Sequence, residues 1–141
     1  MGAAAERQKN MQLTKLRVLI IDDDVYKAHD IQKALEFSGV RDFVLVWDQE
    51  SAWEEIDRAA QTGRNFGLIV TDMHYPVKRG EEADFRAGVI LIEEMQNRGL
   101  RIPVILCSSH NYRIPGALGC VWYSNLNENM EFDFQELLQK L

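Results

Sequence analysis

At 141 residues the chain is the size of one domain, long enough to bury a single core and too short for a second. A net charge of −6, with lysines and arginines scattered rather than clustered, argues against a nucleic-acid surface or an anionic membrane as partner. No stretch is apolar over the length needed to span a bilayer, and the start of the chain lacks the apolar core of a signal peptide, so a cytoplasmic protein is expected.

Residues 1–14 are rich in alanine and polar side chains and are expected as a flexible leader before a domain over 15–141. Leu16-Arg17-Val18-Leu19-Ile20-Ile21 then forms a mainly aliphatic run, the habit of a strand buried on both faces of a parallel sheet. It breaks off into Asp22, Asp23 and Asp24. From Val25 to Gly39, Ala28, Ile31 and Leu35 recur at helical spacing, and Gly39 suits the position just past a helix end. Phe43, Leu45 and Trp47 alternate as a short second strand, and Asp48 or Ser51 can cap a helix carrying Trp53, Ile56 and Ala60. The run Phe66-Gly67-Leu68-Ile69-Val70-Thr71 is a third strand that also ends in a carboxylate, Asp72. Gly88 opens a helix with Val89, Ile92 and Met95 inward, and Pro103 to Cys107 reads as a fourth strand ending at Ser108 and Ser109. Between it and a fifth strand, Cys120 to Tyr123, the segment His110 to Leu118 holds Pro115 and Gly116, so a full helix is not expected there. Met130, Phe134, Leu137, Leu138 and Leu141 form a closing helical stripe. Cys107 and Cys120 lie in apolar contexts without closely spaced metal-binding partners and are expected as reduced, buried thiols.

Alternating strands and helices with right-handed crossovers imply an α/β fold: a doubly wound five-stranded parallel sheet of flavodoxin-like order 2-1-3-4-5, with the fourth helix shortened or absent. In such sheets chemistry gathers beyond the carboxyl ends of the strands, where two runs of this chain end in aspartate. Carboxylates meeting there imply a cation among them, a raised pKa or wide separation. Each aspartate also has a plainer reading as a helix cap or turn residue.

An acidic pair after the first strand, an aspartate after the third with Pro76 four positions on, and a serine after the fourth together resemble the CheY-like receiver domain of bacterial two-component response regulators. The resemblance runs from about Lys15 to Leu141, nearly the whole chain. It implies that Asp72 accepts a phosphoryl group from a histidine kinase or phosphotransfer protein, forming an acyl phosphate. It implies further that Asp22, Asp23 and the backbone carbonyl of His74 hold Mg²⁺, that Ser108 donates to a phosphoryl oxygen, and that Ser109 leaves the acceptor accessible. Hard oxygen donors suit that ion, and positioned charge supplies most of the catalysis in phosphoryl transfer. The expectation is a stand-alone receiver that signals by protein–protein contacts and catalyses at most its own phosphorylation and dephosphorylation.

The chain departs from the receiver pattern in three places. The lysine expected at the end of the fifth strand is replaced by Ser124, followed by Asn125 rather than proline, so the cation that pairs with the phosphoryl group is missing. Lys78, Arg79, His110 and Arg113 are the nearby side chains expected to be able to replace it. Residues 77–86 form an insertion of mixed charge, read as a solvated loop beside the site and a candidate lid or partner-recognition segment. The aromatic switch position on the fifth strand falls on Val121. Ser124 and the altered switch face support an alternative, a receiver-like interaction module that works without phosphorylation. A weaker alternative, an aspartyl-phosphate phosphatase, rests on Asp22 and Asp24 flanking one residue after a strand, with Tyr26 against its pattern.

Overall fold

The computed structural model describes residues 2–141. Helix α1 (Ala3–Lys15) leads into a five-stranded parallel sheet made of β1 (Arg17–Ile21), β2 (Asp42–Val46), β3 (Leu68–Thr71), β6 (Val104–Ser108) and β7 (Gly119–Trp122). The spatial order is β2-β1-β3-β6-β7, which among the main strands is the expected 2-1-3-4-5. Helices α2 (Val25–Phe37), α3 (Gln49–Thr62), α4 (Ala87–Asn97) and α5 (Met130–Leu138) cover its faces. No helix forms between β6 and β7.

Alternation along the strands sorts the core into two layers. Val18, Ile20, Val70, Ile105, Cys107 and Val121 face α2 and α5 through Ile31, Leu35, Phe134 and Leu138. Leu19, Ile21, Ile69 and Val104 face α3 and α4 through Ile56, Ala59, Leu91 and Met95. Strands β1 and β3 are covered on both faces, which is why their sequences run aliphatic without alternation. Asp48 caps α3, its carboxylate accepting from the Ser51 N–H and hydroxyl. Gly63, in the left-handed region at φ 71°, ends that helix and needs no Cβ there.

Two segments differ from expectation. The residues expected as a flexible leader hold α1, which has no side-chain cap and so carries no start signal in the sequence. Leu13 is its one buried residue, and Lys9 Nζ donates to the Leu141 carbonyl at the far end of the chain, 3.0 Å away. The insertion 77–86, expected as a solvated loop, closes a short antiparallel ribbon, β4 (Tyr75–Pro76) with β5 (Ala83–Asp84). That ribbon is tied to α3: the Arg79 N–H donates to Glu50 Oε1 at 3.0 Å, the Glu50 N–H donates to the Val77 carbonyl at 3.0 Å, and the Arg79 guanidinium meets Glu54. Among the described residues no helix is long and apolar enough to cross a membrane.

Candidate functional site

The parallel ladder does not stop at the last strand residue. The Asp22 N–H donates to the Val46 carbonyl at 3.0 Å, and the Asp72 N–H donates to the Ile21 carbonyl at 3.1 Å. These bonds pin two aspartates side by side at the carboxyl edge of β1 and β3, the central strands. Asp22, Asp23 and Asp72 each bring a carboxylate oxygen to within 4.8 Å of the others.

The three are not equivalent. Asp22 is fully buried; its Oδ1 accepts from the Asp24 N–H at 2.9 Å, and its Oδ2 meets Lys27 Nζ at 3.0 Å. Asp72 is partly open, and both of its side-chain contacts fall on Oδ1, which accepts from the Met73 N–H at 2.7 Å and meets Lys27 Nζ at 3.1 Å. Asp23 is exposed. Burial pushes the Asp22 carboxyl up to about 6, against the pull of the Lys27 ammonium and the Asp24 N–H. Burial likewise raises Asp23.

Lys27 is the functional residue that the sequence reading missed. It projects from the first turn of α2, where Asp24 Oδ1 accepts from the N–H groups of Tyr26 and Lys27 and so fixes the turn. Its ammonium is only 6% exposed and bridges Asp22 and Asp72, with the Tyr123 ring centroid 5.5 Å away. Burial works hardest against this charge, but Asp22 and Asp72 together outweigh it and hold the pKa above the ordinary lysine value. A signal for it existed in the sequence. Lys27 stands beside Ala28 and four residues before Ile31, on the face of α2 that the apolar spacing marks as buried.

The side chains expected to supply the missing cation form no ion pair with Asp22, Asp23 or Asp72. Arg79 is held by Glu54, and Lys78, His110 and Arg113 are exposed. Ser124 accepts from the Leu126 N–H through Oγ and lines a groove of about 450 Å³ between α2 and α5, together with Asp30 and Met130. Ser108, at the end of β6, is 4% exposed and its Oγ accepts from the His110 N–H at 3.3 Å, while Ser109 is exposed and its carbonyl accepts from Trp122 Nε1. His74 stands two residues past Asp72 with its exposed ring stacked on Phe85 of the ribbon, centroids 4.4 Å apart. Behind Asp72, Thr71 Oγ1 lies 2.8 Å from both the Asp72 carbonyl and the buried Tyr75 hydroxyl. Gly88 brings α4 so close that a Cβ there would stand 3.0 Å from the Asp72 carbonyl oxygen.

No protein-family model matches the sequence, and a comparison with curated proteins finds no match. Solved structures do match. The chemotaxis response regulator CheY4 of Vibrio cholerae superposes with a TM-score of 0.62 at 17% identity, over 87% of this chain and 98% of that one. The signal receiver domain of the response regulator NarL from Mycobacterium tuberculosis gives 0.63 at 19% identity, over 89% of this chain and 98% of that one. The chain has the CheY-like receiver fold. A third structure with this fold, the receiver domain of the Arabidopsis thaliana histidine kinase CKI1 complexed with Mg²⁺ and BeF3−, superposes at 0.60 with 17% identity, over 94% of this chain and 95% of that one.

Within that fold, three carboxylates meet at the edge of β1 and β3, and no helix forms between β6 and β7. Hard carboxylate oxygens that approach one another from two strand ends form a donor set that suits a small divalent cation. Three carboxylates beside one ammonium leave two negative charges for such an ion to neutralise. Of the two aspartates on which the phosphatase alternative rests, Asp22 is fully buried and Asp24 serves as the α2 cap.

Proposed function

We propose that the chain is a phosphoryl-accepting receiver, with Asp72 as the acceptor and a histidine kinase or phosphotransfer protein as the donor. The observation that carries this reading is the convergence of Asp22, Asp23 and Asp72 at adjoining strand ends, with a charged lysine between two of them. The receiver fold of the solved structures adds support, one of them complexed with Mg²⁺ and BeF3−.

Asp72 Oδ1 is occupied by Lys27 and the Met73 N–H, which leaves Oδ2 as the nucleophile. That oxygen attacks the phosphorus of a phosphohistidine; the new O–P bond forms as the P–N bond breaks, and the electron pair leaves with the imidazole. A carboxylate is a weak nucleophile, so the rate depends on groups already placed to meet charge on the phosphoryl oxygens. Asp22, Asp23 and Asp72, with the His74 carbonyl, are the groups that would hold Mg²⁺, which when bound supplies charge neutralisation to the transferring group. Ser108 stands at the end of the neighbouring strand as a hydroxyl donor. The chain turns over no diffusing substrate in this reading and acts by docking to a partner.

The test is Mg²⁺-dependent labelling by acetyl phosphate. Wild-type protein is expected to take up label that Asp72→Asn abolishes, and absence of labelling in the wild type at any donor concentration overturns the proposal.

A further inference from the structure

We infer that Lys27 has taken over the role of the absent fifth-strand lysine, so that the cation pairing with a phosphoryl group on Asp72 comes from the first turn of α2 rather than from the sheet. The inference rests on the receiver reading above and specifies how its site is completed.

The geometry supports this at several levels. Ser124, which the sequence pattern places at the lysine position, lines the α2–α5 groove and carries no charge. Its neighbour Tyr123 is the β7-side residue that reaches the site, and it does so by laying its ring 5.5 Å from Lys27 Nζ and bonding its hydroxyl to Asp30 on the same helix at 2.6 Å. The ammonium is thus enclosed by Asp22, Asp72 and an aromatic face. It already touches the reacting carboxylate at 3.1 Å, on the oxygen that is not the nucleophile. A lysine ammonium has three N–H donors, and this one lies at ion-pair distance from both Asp22 and Asp72. Adding a phosphoryl group raises the negative charge at Asp72 and supplies further acceptor oxygens, so the ammonium gains attraction there without having to travel.

The placement is also rigid. Asp24 fixes the backbone N–H of Lys27 at 3.1 Å, and Asp22, which accepts from the Asp24 N–H, holds the other end of the side chain. Residues 22 to 27 therefore form a closed loop of bonds that presents the charge in one position. Such preorganisation is what makes a charge effective when negative charge develops next to it. None of the four loop candidates is ion-paired with Asp22 or Asp72: Arg79 is engaged with Glu54, and Lys78, His110 and Arg113 are exposed.

The experiment is titration of the purified chain with beryllofluoride in the presence of Mg²⁺, followed by fluorine NMR, on wild type, Lys27→Gln and Lys27→Arg. Glutamine keeps an N–H donor for Asp22 but removes the charge, and circular dichroism reports whether the variant is folded. The expected result is saturable binding in wild type, retained within severalfold in Lys27→Arg and weakened by about tenfold or more in folded Lys27→Gln, as loss of a charge-assisted bond implies. Wild-type affinity in folded Lys27→Gln overturns the inference and leaves the receiver reading standing. No bound signal in wild type removes the receiver reading and this inference with it. If Lys27→Gln does not fold, the double variant Lys27→Met, Tyr123→Lys supplies an ammonium from β7 into the same space; binding there supports the role assigned to the charge, and its loss in a folded double variant overturns it.

Discussion

The carboxyl edge of the sheet has two halves that differ in how tightly they are built. At β1 and β3, Asp22 and Asp72 are pinned by backbone ladder bonds, a buried lysine ties them together, and α4 approaches through a glycine with no space to spare. At β6 and β7 a ladder bond also runs past the strand end, from the Tyr123 N–H to the Ser108 carbonyl, but residues 109–118 form no helix, Ser109 and His110 are exposed, and among the described residues no ion pair ties the edge together. Under the function proposed above, the first half would accept the phosphoryl group and the second would report it. The contrast is physical: an acidic pocket with one buried ammonium needs only a few strand-end residues, and at the other half of the edge Val121 is buried on a strand with no helix before it.

Breaking the lysine bridge tests the contrast most severely. Lys27→Met should destabilise the protein by about 3–5 kcal/mol in urea or thermal unfolding, because it leaves the fully buried Asp22 carboxylate without its partner. Adding Asp22→Asn should recover much of that loss, and a double variant no more stable than the single would show that the bridge is not what holds this half together. Gly88→Ala comes next, at about 1–3 kcal/mol, since the new Cβ would stand 3.0 Å from the Asp72 carbonyl oxygen and 3.3 Å from Met73 Cα, backbone atoms that cannot swing aside. The same variant should also weaken acetyl phosphate labelling, whereas a purely local clash would leave labelling at the wild-type level.

A gentler probe is pH in metal-free protein. The folded form holds the Asp22 proton more tightly than the unfolded chain, its carboxyl raised to about 6 from the ordinary 3.8, so Asp22 should cost stability progressively as pH rises from about 4 through about 6. Lys27 acts at the opposite end: its raised pKa contributes stability that is present below the ordinary lysine value and lost as pH rises through the folded one. Asp22→Asn should flatten the acid-side slope in urea denaturation series, and an unchanged slope would move its origin to another group. The smallest effect is expected on the looser half of the edge. Ser108→Ala removes one long hydrogen bond, 3.3 Å from the His110 N–H, and should shift stability by under about 1 kcal/mol while lowering the phosphorylation rate. A large loss of stability there would show that the two halves are coupled more closely than their contacts indicate.

Much of this was legible before any coordinates. The aliphatic runs at β1 and β3 announced a buried parallel sheet because strands covered on both faces need no polar alternation, and their terminal aspartates marked the site because strand ends in such sheets converge. Pro115 and Gly116 foretold the missing helix after β6. Helix α1 was not legible, since it lacks a cap and buries only Leu13 along its length. The ribbon at residues 75–84 was hidden because its strands are two residues each and it is held by α3 rather than by its own pattern. Lys27 was overlooked among the charged residues of α2, although its place on the apolar face set it apart.

Local chemistry, then, determined which strands form, which face each helix buries and which carboxylates stand at the sheet's edge, because periodicity and strand-end position act over a few residues. Tertiary structure alone decided which charge meets those carboxylates. Asp22 and Asp72 lie fifty residues apart in sequence and are brought together only by the β1–β3 pairing, and a lysine from the following helix reaches both only once that pairing exists. Attraction between charges depends on separation in space and on exclusion of water, neither of which is written in the order of residues.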